Sequence, residues 1–178
     1  MSVVTETRQD LPAGNWTLDP VHSSIGFELP YLAGTFRGSF TDVDAKLAGG
    51  ALTGSAKVTS VDVKDENLSA HLQSPEFFDA ERHPELSFES RELDRSGDAV
   101  TVRGDITIRG TTKPAELTGS ISGPLTDGYG RELIGLQLET TVDRTEFGLN
   151  WNTPLPNGQP ALANDVKLIA NLQFVREA

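Results

Sequence analysis

No cysteine occurs in the 178 residues. That removes disulfides, thiolate nucleophiles, Cys-ligated zinc and iron–sulfur clusters from the possible chemistry. Positive charge is scarce too, with 15 Lys and Arg against 26 Asp and Glu and a net charge of −11. Binding to a phosphate backbone needs clustered cations that displace counterions, so no nucleic-acid partner is expected, nor docking on an anionic membrane through a basic patch. No apolar run approaches the roughly 20 residues of a membrane-spanning helix, so no transmembrane segment is expected. Residues 1–14 lack the basic start and apolar core of a secretory signal. The expected location is therefore cytoplasmic, or periplasmic or secreted only if a signal has been removed. Those fourteen residues read as a flexible N-terminal tail, and 15–178 as a single domain.

Catalytic signatures are equally sparse. The three histidines, His22, His71 and His83, form neither an HxH nor an HExxH pair, so no metal site is expected. No Gly-x-Ser-x-Gly elbow is present. The run 109–113 (RGTTK) has neither the glycine spacing nor the following helix of a phosphate loop, and reads as a tight turn.

What the sequence does contain is alternation with a period of two, the mark of strands with one buried and one wet face. In the last of these, Leu162, Val166, Leu168, Ala170, Leu172 and Phe174 share a face. Segments 52–61, 99–108 and 134–142 repeat the pattern, and weaker strands lie at 16–18, 25–29, 35–47, 86–93 and 115–123. Within 35–47 the apolar parity slips from Phe36 and Phe40 to Val43, Ala45 and Leu47, which predicts a β-bulge near Asp42. Turn residues stand at 48–50, 96–98, 111–114 and 127–128. Residues 65–73 read as the one helix, and 145–150 as a further helical turn.

Eight or nine antiparallel strands joined by short turns must bury a common apolar face. A closed barrel and a two-sheet sandwich both do so, and periodicity gives the barrel a modest edge. Small residues recur on the apolar faces, namely Gly54, Ala56, Gly104, Ala115, Gly119 and Ala170. They either leave room for a guest or make way for large neighbours such as Phe27, Phe36, Phe40 and Phe88. A wall this poor in ionisable groups would suit a hydrocarbon rather than a sugar or nucleotide.

Six phrases in order carry a family likeness: 16–27 (WTLDPVHSSIGF), 35–40 (TFRGSF), 72–79 (LQSPEFFD) with 83–88 (HPELSF), 104–113 (GDITIRGTTK), 143–151 (DRTEFGLNW) and 164–168 (NDVKL). Together they resemble the YceI-like family of lipocalin-like proteins. The resemblance implies an all-β fold: an elongated eight-stranded antiparallel up-and-down barrel with one short helical insertion around a lipophilic pore. It implies a bound polyisoprenoid, as an isoprenoid quinone or a polyprenyl phosphate, with no cofactor required, and a homodimer. Carried onto the matched phrases, the apolar lining comprises Phe27, Phe36, Phe40, Phe77, Phe88, Ile106, Ile108, Phe147 and Trp151. Each of these, taken singly, is also explained by ordinary core packing. The helix and the Phe77–Phe78 pair are expected to close one mouth. Carriage or storage of the lipid requires no reaction. The competing expectation is an enzyme or redox protein acting on a lipophilic or quinone-like substrate, which needs a polar group facing the guest; His22, His71 and Asp143 are its candidates.

Overall fold

Alternating strands bury their apolar faces only where a sheet meets a second layer or itself. In the computed structural model, which describes residues 11–177, the sheet meets itself. β1 (Asn15–Leu18) and β2 (Ser24–Tyr31) form one stave, broken by a single 3-10 turn at Pro20–His22. β3 (Gly34–Phe40) and β4 (Val43–Ala48) form the second, broken at Thr41 and Asp42, where the parity slip foretold a bulge. β5 (Ala51–Lys57) and β6 (Val61–Asp62) form the third. After helix α1 (Glu66–Leu72) come β7 (Glu85–Ser96), β8 (Ala99–Ile108), β9 (Thr111–Thr126), β10 (Glu132–Asp143) and β11 (Asp165–Arg176). Each stave runs antiparallel to its neighbours. The ring closes because β11, paired on one side with β10, pairs on the other with both parts of the first stave. Leu168 stands opposite Phe27, and Phe174 opposite Leu18. The result is an eight-stranded antiparallel barrel with one short helix, and the sandwich alternative is ruled out.

The two ends differ. Tight turns fill the base: Gly49 and Gly50 both take positive φ, 59° and 80°, as a two-residue hairpin of matching twist demands. Both long connections, the one carrying α1 and the one from β10 to β11, lie at the opposite, upper end. The core divides in the same way. A lower cluster packs Trp16, Leu47, Val102, Ile134, Leu136 and Phe174, each at most 1% exposed, into a solid plug. An upper cluster is built around Phe27, Phe40, Phe77 and Phe147. Of the expected tail, residues 1–10 lie outside the described residues. Leu11 is buried in the lower plug, and the Pro12 carbonyl accepts the Trp16 indole N–H at 3.3 Å.

One turn is displaced from its expected place. The β8–β9 turn is formed by Arg109 and Gly110, at φ 49° and 74°, rather than by 111–114. Pro114 lies within β9 opposite Asp105. A proline fits a strand only where its missing N–H has no ladder to serve. That condition holds because the β9–β10 register ends at Glu139↔Thr118, so the upper part of β9 pairs with β8 alone.

Two of the small inward residues make close approaches rather than space. A Cβ on Gly119 would overlap the Gln137 carbonyl, and one on Gly104 would overlap the Glu89 carbonyl and meet the Phe88 ring at 2.7 Å. Gly119→Ala must therefore push β9 from β10. It is expected to lower stability by roughly 2–3 kcal/mol, read as a fall in the urea midpoint; an unchanged midpoint would refute the close approach.

Candidate functional site

The upper cluster does not fill its half of the barrel. It surrounds a cavity of about 290 Å³ whose walls are almost entirely apolar. All nine side chains singled out from the sequence line it: Phe27, Phe36, Phe40, Phe77, Phe88, Ile106, Ile108, Phe147 and Trp151. Phe27 is the hub of the aromatic wall, with ring centroids 6.1 Å from Phe36, 5.9 Å from Phe40 and 6.4 Å from Phe78. These tilted and edge-on arrangements suit the ring quadrupoles. Gly54 and Ala56 face the cavity from β5 and leave volume there, as small inward residues can.

The roof is made by the two long connections. Asp65 caps α1 by accepting the Leu68 N–H at 3.0 Å, and the helix turns Leu68 and Leu72 down into the cavity. The chain then folds back, with the Phe78 N–H donating to the Leu72 carbonyl at 3.0 Å, which sets Phe77 and Phe78 beside them. From the other side come Leu149, Trp151 and Leu162. His71 stands edge-on to Phe77 and Trp151, at 4.9 and 5.6 Å, with Nε2 2.6 Å from a Glu76 carboxylate oxygen. Arg109 ties the two halves of the roof by donating to the carbonyls of Gly148 at 2.7 Å and Pro75 at 2.8 Å.

Arg144 holds the second connection. Its side chain, in a residue only 4% exposed, donates to the carbonyls of Ala163 (2.8 Å), Leu149 (2.6 Å) and Trp151 (2.8 Å), and at the limit of 3.5 Å to Asn164 Oδ1. Burial lowers its pKa from the ordinary value, and the neighbouring Asp143 charge opposes that shift. Nothing in the hydrophobic pattern marked Arg144 as an inward residue. It begins the short 3-10 turn Arg144–Phe147, and that turn, unlike a strand, carries a polar residue inward.

The polar candidates for catalysis are elsewhere. His22 sits on the exposed 3-10 turn, 2.7 Å from Asp19, and His71 faces aromatic edges in the roof. Asp143 accepts the Thr145 hydroxyl at 2.6 Å and its N–H at 2.9 Å, capping the turn. None of the three lines the cavity. Among the described residues no three His, Asp or Glu side chains gather into a group able to hold a metal, and no helix is long and apolar enough to cross a membrane.

Those Thr145 bonds, hydroxyl first, hold the Asp143 carboxyl below its usual range, with the Arg144 charge adding a smaller pull. A lowered folded-state pKa contributes stability at pH values above the unfolded carboxyl's, and the contribution is lost as pH falls through the folded value. Acidification below about pH 4 is thus expected to lower the urea midpoint more steeply in the native chain than in Asp143→Asn. Parallel acid limbs for the two proteins would show that Asp143 contributes nothing.

The profile of the YceI-like domain matches residues 16–174. The chain belongs to the YceI-like domain family. Among its relatives, a UPF0312 protein of Pectobacterium atrosepticum is 32% identical over 164 residues, covering 88% of this chain and 82% of the relative. A UPF0312 protein of Photorhabdus laumondii is 30% identical, covering 93% and 88%. The same barrel is found in solved structures. The YCEI protein of Campylobacter jejuni superposes with a TM-score of 0.73 at 24% identity, over 91% of this chain and 98% of the other. A polyisoprenoid binding domain from Saccharophagus degradans, implicated in plant cell wall breakdown, superposes with a TM-score of 0.68 at 11% identity, over 91% and 98%.

Proposed function

We propose that this YceI-like barrel binds, and so carries or stores, a polyisoprenoid lipid in its upper cavity, without catalysing a reaction on it. The observation that carries this reading is the cavity itself, an apolar chamber in a barrel whose other half is densely packed. The Saccharophagus degradans domain of the same fold, a polyisoprenoid binder, supports the choice of guest. Burying methylenes contributes about 0.8 kcal/mol each, so a few isoprene units supply ample driving force before chain-ordering costs are subtracted. Selection then works by width and length, through the aromatic ring of Phe27, Phe36 and Phe40, rather than by directional bonds.

Native mass spectrometry of gently purified protein tests the reading. The expected result is a discrete adduct that organic extraction releases as a prenyl-chain lipid. Protein of bare mass that also fails to bind added farnesol saturably would overturn it. The homodimer implied by the family resemblance belongs to the same proposal, and sedimentation equilibrium should return twice the chain mass.

A further inference from the structure

The chamber is plugged below and roofed above. Below lies the solid cluster of Trp16, Leu136 and Phe174. Above, the rings of Phe77 and Trp151 meet with centroids 5.3 Å apart, and Arg109 bonds the two roof connections together. Lifting the roof would break both Arg109 bonds and part the aromatic rings.

The side wall is weaker at one place. β9 and β10 pair as far up as Thr118↔Glu139 and, among the described residues, no further. Both strands continue upward, β9 held by β8 as far as Thr111↔Ile108 and β10 held by β11 as far as Asp143↔Asp165. A tie crosses at the top, where Arg109 Nη1 donates to the Gly148 carbonyl at 2.7 Å. Between these two limits β9 and β10 share no ladder. The gap borders the cavity, because Leu117 of β9 and Glu139, Thr140 and Val142 of β10 all line it.

The burial of β9 shows that its inner face meets water here. Residues directly opposite one another on paired strands share a face. Lys113 stands opposite Ile106, a cavity residue, so it occupies an inward position. Yet Lys113 is exposed, and Ala115 and Leu117 below it are only half-buried, whereas Ile121 farther down is 2% exposed. A lysine is tolerated at an inward position only where its ammonium keeps its water. Pro114, beside it, has no N–H with which to extend the pairing towards β10.

The geometry points to this gap between β9 and β10 as a side portal, through which a linear hydrocarbon chain enters and leaves the chamber with the roof in place. This rests on the hydrocarbon-binding reading and adds to it the route of exchange. Passage here breaks no strand pairing, and Leu117 and Val142 give the gap an apolar edge on each side.

The absence of cysteine makes a cross-linking test clean. Were the ladder continued, Glu116 would face Thr141, and both are exposed. Glu116→Cys with Thr141→Cys, joined by a short bis-maleimide, staples the portal. Pro75→Cys with Asn150→Cys, exposed positions on the two roof connections, staples the roof. Uptake and release of radiolabelled farnesol are timed by rapid gel filtration on the full chain, each stapled protein against its own unreacted form. The portal staple is expected to slow both rates tenfold or more at unchanged equilibrium affinity, and the roof staple to leave the rates as they were. Slowing by the roof staple alone, by both staples or by neither overturns the side route. Ala115→Trp needs no cross-link and narrows the portal from β9, so it decides where a staple fails to form or a double variant fails to fold. Slower exchange at unchanged affinity in that variant supports the route, and native rates overturn it while leaving hydrocarbon binding standing. A native chain that takes up no farnesol overturns the binding reading and the route with it.

Discussion

Trp16→Ala is expected to be among the most damaging single substitutions in the barrel, lowering stability by about 3–5 kcal/mol. The indole is wholly buried in the lower plug with Leu47, Ile134 and Phe174. Its N–H is bonded to the Pro12 carbonyl, and the Arg176 guanidinium lies 4.9 Å from the ring centroid. A plug of interlocked side chains cannot collapse around so large a void, and the cation–π contact goes with the ring. For a chain of this length the loss corresponds to a fall in melting temperature on the order of 10 °C. Phe36→Ala is the informative partner, because Phe36 is half-buried and already borders empty space. Its loss enlarges an existing cavity rather than opening a new one, so roughly 1–2 kcal/mol is expected. Thermal and urea melts of the two variants side by side measure the difference between the packed and the hollow half; equal losses would contradict it.

Gly54→Leu should have the opposite character, leaving the fold intact and removing the guest. A Cβ at Gly54 meets only ordinary contacts, the Asp44 carbonyl oxygen at 3.7 Å and the Ala45 Cβ at 3.9 Å. The backbone there is not left-handed, and the position lies between inward-facing Leu52 and Ala56 on β5. A leucine side chain at this point enters the cavity. Affinity for farnesol is expected to drop at least tenfold, about 1.4 kcal/mol. Stability should hold or rise by roughly 0.5 kcal/mol as a strand glycine is replaced. Titration and melting on the same sample separate the two effects. Undiminished farnesol binding by a folded Gly54→Leu protein would place the guest somewhere else.

The strands were legible because one face is wet and the other buried, and a period of two survives every packing detail. Helix α1 was legible for a local reason as well, since Asp65 is its cap and Gln73 closes it. Closure was not. That β11 holds β10 on one edge and both halves of the first stave on the other is a property of residues far apart in the chain, such as Trp16 and Arg176, 160 positions from each other. Periodicity therefore left a sandwich open. The displaced β8–β9 turn has a similar origin, because Pro114 signals a turn locally and is tolerated in β9 only through an absent third partner. The aromatic lining could be read from the matched phrases and its alternation, but Gly54 could not be told from Gly119 by sequence. One faces a void and the other a carbonyl oxygen, and only the neighbouring strand decides which.

Where β9 runs on past its pairing with β10, it presents a row of backbone donors and acceptors to any strand that drifts by. Such a rim ordinarily invites a second molecule to add on, which is the first step of sheet-to-sheet aggregation. Here the rim carries Lys113, Pro114 and Glu116, all exposed. The proline withholds a donor, and the two opposite charges keep their water and resist burial against a stranger. The unpartnered stretch of β9 thus comes with its own guard against sticking.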